Sequence, residues 1–352
     1  MKKNNSLIVS KNKINLSTFL EGLTVGIINT FILFELNRKS LLIASLWSAT
    51  FILGTVLSLY IKIDNQKVIR NLSMFARTLL IPVIIFDLGV TSIIGVFILG
   101  VTQAVFSRKQ FIRLKEHISE INVNHLTAHG SINALGYGLG SVLAGLANDN
   151  KLIFIIISIT AIFSTFKIFP TKSISITKSN LGLTKRDLYI ASIFTFSTTP
   201  LNNTLGLLIY TNIFNEEIAS LGALLFNLGS ILAPKLKYYI ARSGKPIAYS
   251  LLLSSIIFIS TLYIELLPYF LISRLVIGSI LFSAQGLLEE RSKTSSGNPE
   301  KGLEHLWQIF SFFSFLSLII LPFFGERFGY LLLGIISIIS SFVIMLFKKI
   351  IK

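Results

Sequence analysis

Three ionisable side chains interrupt stretches that are otherwise apolar or weakly polar: Glu21 in FLEGLTVG, Arg77 in MFARTLL and Arg274 in ISRLVIG. A charge in such a segment is costly to desolvate, and it persists where it binds, pairs or carries a proton. Glu21 suits the last role. A carboxylate about two turns in from a basic end can take a proton from one side of a barrier and release it on the other. The competing reading is a carboxylate close enough to lipid headgroups to be solvated. Arg274 is expected to be a fixed positive charge that attracts an anionic group or tunes a protonatable partner. Arg77 lies about two turns from the same basic end and is expected to snorkel its head toward water. Asp87 and Glu265 fall at the opposite ends of their segments and read as solvated, and Lys167 reads as an interfacial anchor.

Uncharged polar residues sit deeper. Asn29, Asn202, Asn203, Asn227 and Gln308 are expected to line a cavity, with Trp307 and the run FSFFSF (310–315) as an aromatic wall. Pro200, just before the Asn pair, is expected to break its helix and free backbone carbonyls for binding. Packing accounts for most of the 29 phenylalanines. His117, His125, His129 and His305 show no ligand spacing, and there are no cysteines, so no metal site or disulfide framework is expected. No phosphate-binding loop of the Gly-x-x-x-x-Gly-Lys-Ser/Thr kind is present; neither a nucleotide cofactor nor enzymatic hydrolysis is expected.

The elements that must position these residues are set by composition. The chain of 352 residues is 52% hydrophobic and 14% charged, with a mean hydropathy of +0.74; soluble chains carry about 25% charged residues. Runs such as LIFIIISITAIF (152–163) call for lipid, where a helix satisfies its own backbone. The spacing predicts an all-α polytopic membrane protein with spans at 14–36, 41–61, 71–88, 90–107, 129–147 and 151–169. A second set follows at 188–213, 217–234, 246–264, 266–288, 305–323 and 328–348. The basic, polar N-terminus carries no cleavage site, so no cleaved signal peptide is expected.

The net charge of +16 is distributed as a topology signal. Of 32 Lys and Arg residues, 26 fall in the tails and the loops on one face, against four on the other. The positive-inside rule then puts both termini in the cytoplasm and leaves no need for nucleic-acid binding. Span one and span seven begin 174 residues apart, and the basic loops after spans two and eight 173 apart. An even number of spans per repeat makes the halves parallel. The expected division is a six-helix bundle over 1–169, a cytoplasmic linker over 170–187 and a second six-helix bundle over 188–352. A twelve-helix bundle without a repeat is the alternative.

Local motifs resemble those of the major facilitator superfamily. Asp64, Lys67 and Arg70 in IKIDNQKVIR match its cytoplasmic loop signature without the usual glycines, and Gly229, Arg242, Gly244 and Lys245 form a counterpart lacking the acid. Arg274 and Gly278 resemble its Arg-x-x-x-Gly pattern. Residues 98–147 look like the enterobactin-exporter and macrolide-efflux branch, with Gly100, Gln103, Ala104 and Ser107 fitting and Arg108 replacing a proline. The segment 108–128 between them is a candidate amphipathic interfacial helix.

The resemblance implies two parallel six-helix repeats, the major facilitator fold, and alternating access by a monomer in a bacterial inner membrane. It implies a proton-coupled exporter of a small organic molecule: a drug, a siderophore or a peptide-like metabolite. An importer of the same fold, or a transport-inactive sensor or partner subunit, are the alternatives. Glu21 before Gly22 matches an acidic-Gly pair in span one of related exporters. Asp64, Lys67 and Arg70 are candidates for a cytoplasmic latch, against the plainer reading of a basic loop. Gly136 and Gly140 form a small-x-x-x-small face for close helix approach, and the resemblance puts the Gly-rich fifth span at the interface between lobes.

Overall fold

The computed structural model describes residues 11–58, 66–86, 92–105, 123–147, 150–168, 184–201, 208–243, 245–295, 299–320, 323 and 327–350. Its first six helices are α1 (Lys11–Lys39), α2 (Leu41–Leu57), α3 (Gln66–Phe86), α4 (Ser92–Val105), α5 (Val123–Leu146) and α6 (Lys151–Ile168). The second six are α7 (Lys185–Thr198), α8 (Glu216–Ala241), α9 (Pro246–Tyr263), α10 (Leu267–Ser295), α11 (Pro299–Ile320) and α12 (Arg327–Ile350). No strand occurs among the described residues. Among the described residues, five helices are long and apolar enough to cross a membrane. Large apolar side chains such as Ile156, Phe163, Ile272, Ile339 and Phe342 stand on the outside, as lipid-facing helices require. Helices α10 and α11 run several residues beyond the predicted spans on the face that carries the termini. Their polar extensions, EERSKTS and PEKGLEH, continue the helix past the apolar stretch.

Span seven is broken as its proline demands. Helix α7 ends at Thr198, a 3₁₀ turn covers Thr199–Leu201, and helix resumes over 208–211. The N-terminus of α7 is capped by Thr184, whose hydroxyl accepts from the Asp187 amide at 3.2 Å. Asn215 caps α8 in the same way through the Ile218 amide at 2.8 Å.

The two-fold repeat is visible in how the helices cross. A Cβ on Gly54 of α2 would lie 2.4 Å from the Phe97 carbonyl oxygen of α4, and one on Gly100 of α4 would lie 2.1 Å from that of Phe51. In the second bundle Gly229 of α8 and Gly278 of α10 make the matching crossing, with 2.4 Å to the Ser279 amide and 2.1 Å to the Phe226 carbonyl oxygen. The bundles meet along two helix pairs, α5 with α8 and α2 with α11. In repeat terms each pair is the other with its partners exchanged, as an axis between parallel halves requires.

Candidate functional site

Glu21 on α1 and Arg77 on α3 form a buried ion pair between Glu21 Oε1 and an Arg77 terminal nitrogen. Each is 1% exposed. The expectation that Arg77 snorkels is corrected. Its side chain turns into the bundle because a buried carboxylate is within reach, and an unpaired charge at either position would cost several kcal/mol. The pair is only half satisfied. Glu21 Oε2 and Arg77 Nε have no hydrogen-bond partner among the described residues, and neither do the buried Ser73 Oγ and Asn133 Oδ1. Ser73 lies one turn from Arg77 on the same face of α3, and Asn133 of α5 packs against Gly22, next to Glu21.

That contact depends on small residues. The α1–α5 crossing has Gly22 and Gly26 against the carbonyls of Asn133 and Tyr137, and Gly136 and Gly140 against those of Phe19 and Leu23, at 2.2–2.3 Å from each missing Cβ. Gly136 and Gly140 therefore serve an approach within the first bundle. The glycines of α5 that face the second bundle are Gly138, against Leu224, and Gly145, against Ser220.

About 12 Å farther along α1, at eight residues of helical rise from Glu21, a cavity of about 90 Å³ opens between the bundles. Asn29, Leu33, Trp47, Phe51 and Tyr137 line it from the first bundle, and Thr199, Ser314 and Leu318 from the second. No charged side chain among the described residues lines it. Two buried polar atoms of its lining residues, Asn29 Oδ1 and Trp47 Nε1, have no hydrogen-bond partner among the described residues. Orphaned groups of this kind cost about 1–3 kcal/mol each, a cost that water or a ligand in the cavity can relieve.

Arg274 does not line that cavity. It is 1% exposed, donates to the Leu201 carbonyl at 3.0 Å, and lies 4.6 Å and 5.1 Å from the ring centres of Phe226 and Tyr210. The Leu201 carbonyl, at the end of the 3₁₀ turn, is thus taken by a guanidinium, and the arginine ties α10 to the bend of span seven. It forms no ion pair among the described residues.

A second polar cluster joins the bundles at the outer end, opposite the termini. Arg38 Nε meets Glu216 Oε1 at 2.9 Å, and Glu35 Oε2 lies 3.8 Å from Lys151 Nζ. Asn37 Nδ2 donates to Thr211 Oγ1 at 2.9 Å and to Asn212 Oδ1 at 3.2 Å. Asn212 Nδ2 in turn donates to the Tyr330 hydroxyl at 3.1 Å. Toward the other face, the Ser131 hydroxyl donates to the Ser230 carbonyl at 3.1 Å across the α5–α8 contact.

Solved structures share this architecture. The nucleoside transporter NupG, in a mutant form, superposes with a TM-score of 0.71 at 10% identity, covering 96% of this chain and 99% of its own. A D-xylose-proton symporter gives 0.65 at 12% identity, covering 95% and 97%. A bacterial homologue of the human lysosomal transporter Spinster, in an inward-facing and unoccupied conformation, gives 0.66 at 11%, covering 99% and 98%. The chain has the major facilitator fold. No family model matches it, and no curated protein matches its sequence.

Within that fold the other expected site residues fall apart. Asn227 lies beside Gly138 at the α5–α8 crossing and donates to the Ala223 carbonyl of its own helix at 2.9 Å. Gln308 is half-buried on α11 and does not line the cavity. Asn202, Asn203, Asp64, Asp87 and most of the 108–128 segment lie outside the described residues, as do the side chains of Lys67, Lys167 and Trp307. Arg70 stands half-buried on the second turn of α3, and Glu265 is exposed at the outer end. Trp47, Tyr137 and Thr199 were not expected in the site, whereas Ser314 belongs to the run 310–315 expected to wall it. The types and spacing of the first three are those of ordinary helix packing, and only the scarcity of tryptophan, two in the chain, set Trp47 apart.

Proposed function

We propose that this chain is a secondary active transporter that moves a small organic molecule by alternating access, coupled to protons. The observation that carries the reading is the cavity walled by both bundles, with Asn29 and Trp47 holding unmatched polar atoms beside it. A site between two bodies that rock against each other can face one side of the membrane at a time. Glu21 is the proposed proton carrier. Its Oε2 is open to a proton, and protonation weakens the pull of Oε1 on Arg77, which gives the first bundle two electrostatic states. Arg274 holds the broken span seven in register rather than binding substrate. The small cavity corresponds to a closed arrangement of the bundles, since sites for drug-sized ligands usually run to about 300–1,000 Å³.

Export is favoured by the resemblance of residues 98–147 to efflux proteins, and the proposed substrate is a drug, siderophore or peptide-like metabolite. Import is the second reading, because a nucleoside transporter and a D-xylose-proton symporter are among the structures that share the fold. The Lys and Arg bias supports a multi-pass protein of a bacterial inner membrane with both termini cytoplasmic, and the reading needs only a monomer. The cytoplasmic latch at Asp64, Lys67 and Arg70 stays part of the proposal.

The test is proton-driven movement of dyes, antibiotics and siderophores in inverted vesicles, and of nucleosides and pentoses in right-side-out vesicles. Asn29→Leu is expected to lower movement of the transported compound about tenfold, the effect of losing one buried polar contact. Movement in right-side-out vesicles alone would reverse the direction. No movement in either would leave the sensor reading.

The outer cluster yields a second expectation. The chain has no cysteine of its own, so Asn37→Cys with Thr211→Cys gives one possible disulfide. Its oxidation is expected to trap the outer end closed and stop turnover, with reductant restoring it. Full turnover in the cross-linked protein would mean that the outer ends do not separate.

A further inference from the structure

On the face that carries the termini, three basic side chains from three separate stretches of the second bundle line one groove of about 60 Å³: Arg186 of α7, Lys245 before α9, and Arg291 of α10. Its floor is apolar, made of Ile190, Ile247 and Ile344, each under 10% exposed. The groove also includes the start of α9. That helix begins with Pro246 after Lys245, which makes no side-chain cap.

No acidic side chain among the described residues lines the groove. Of the nearby carboxylates, Asp187 accepts from the Thr184 hydroxyl at 2.7 Å, Glu290 pairs with Lys237 at 2.7 Å, and Glu289 accepts from Gln285 at 3.2 Å. Arg186 and Lys245 have no ion pair or hydrogen-bond partner among the described residues. Arg186 and Lys245 thus bring two unpaired cations to one groove over an apolar floor, and a bound anion removes the repulsion between them.

From this geometry we infer that the groove is a binding site for the phosphate headgroup of an anionic phospholipid. The aromatic residues beside the groove and its apolar floor favour lipid over a soluble anion. Tyr189 and Tyr249, near the starts of α7 and α9, are 51% and 48% exposed, the position of aromatic residues at a membrane–water interface. The isoleucine floor suits the glycerol and upper acyl region below a phosphate. Basic pockets between spanning helices on the positively charged side of a membrane take such headgroups. The site is separate from the central cavity and does not depend on the transport reading.

The test is native mass spectrometry of the full chain, purified in neutral detergent and titrated with phosphatidylglycerol or phosphatidylcholine. Phosphatidylglycerol is expected to be retained in preference. The triple variant Arg186→Gln, Lys245→Gln, Arg291→Gln is expected to lose one tightly held lipid, with affinity down about tenfold or more for three removed charges. Lys235→Gln with Arg242→Gln, on the same face outside the groove, is expected to keep it. Equal losses in both variants would reduce the effect to diffuse surface attraction and overturn the site. Displacement of the lipid by excess inorganic phosphate would make it a soluble-anion site and overturn the lipid assignment. If the triple variant does not assemble, Arg186→Gln alone, at an exposed position, reports the same loss in smaller measure.

Discussion

Arg77→Met is expected to cost about 3–5 kcal/mol of stability, because it strands the Glu21 carboxylate in the interior of the first bundle. Glu21→Leu combined with Arg77→Met is expected to return to within about 1–2 kcal/mol of the parent, since an apolar pair of similar volume needs no compensation there. Unfolding of the detergent-solubilised protein, followed through the full double-mutant cycle, measures the coupling directly. Stability and transport are then expected to part company. The double variant folds but no longer accumulates substrate against a gradient, because the proton has no carrier. Glu21→Gln should behave likewise in transport at a smaller stability cost, as the amide still offers Arg77 an acceptor. Two results would end this account. A cost below about 1 kcal/mol for Arg77→Met would fit an exposed pair rather than a buried one. Uphill transport by the double variant would make the pair structural and move the proton elsewhere.

How much of this was legible in the sequence differs between fold and site. Apolar segment length and loop charge are sums over many residues, and they yielded the helices with ends up to about seven residues off. Pro200 gave the break in span seven because a missing amide acts locally. Pairings between helices were harder. Arg77 looked like a snorkelling residue because its distance from the helix end suits one, and only the α1–α3 contact shows that Glu21 was within reach. Gly136 and Gly140 were legible as a close-approach face, but nothing in their spacing says which helix approaches. The outer cluster was legible in principle. Asn37 and Thr211 are 174 residues apart, the offset between spans one and seven, and residues equivalent in two parallel repeats meet each other at the axis. That end carries few of the chain's positive charges, yet Arg38 makes its bridge there.

The repeat itself can be tested by opposite outcomes on one helix. Gly278→Ala in α10 puts a methyl 2.1 Å from the Phe226 carbonyl oxygen, and the nearest atoms are all backbone, so α8 and α10 must move apart. Overpacking of a close crossing costs about 1–3 kcal/mol, occasionally more, and backbone neighbours leave no side chain to rotate away. Gly286→Ala, two turns on, meets only the Lys237 side chain at 3.8 Å. There the better helix propensity of alanine prevails, and the change is expected to be neutral or stabilising by up to about 1 kcal/mol. Gly100→Ala, the repeat counterpart of Gly278, faces the Phe51 carbonyl at the same 2.1 Å and is expected to lose as much. Matched losses at Gly100 and Gly278 beside a tolerated Gly286→Ala would show one crossing used twice. A loss at Gly286 equal to the others would mean that the helices respond to any added methyl, and that the shared crossing is not what holds each bundle together.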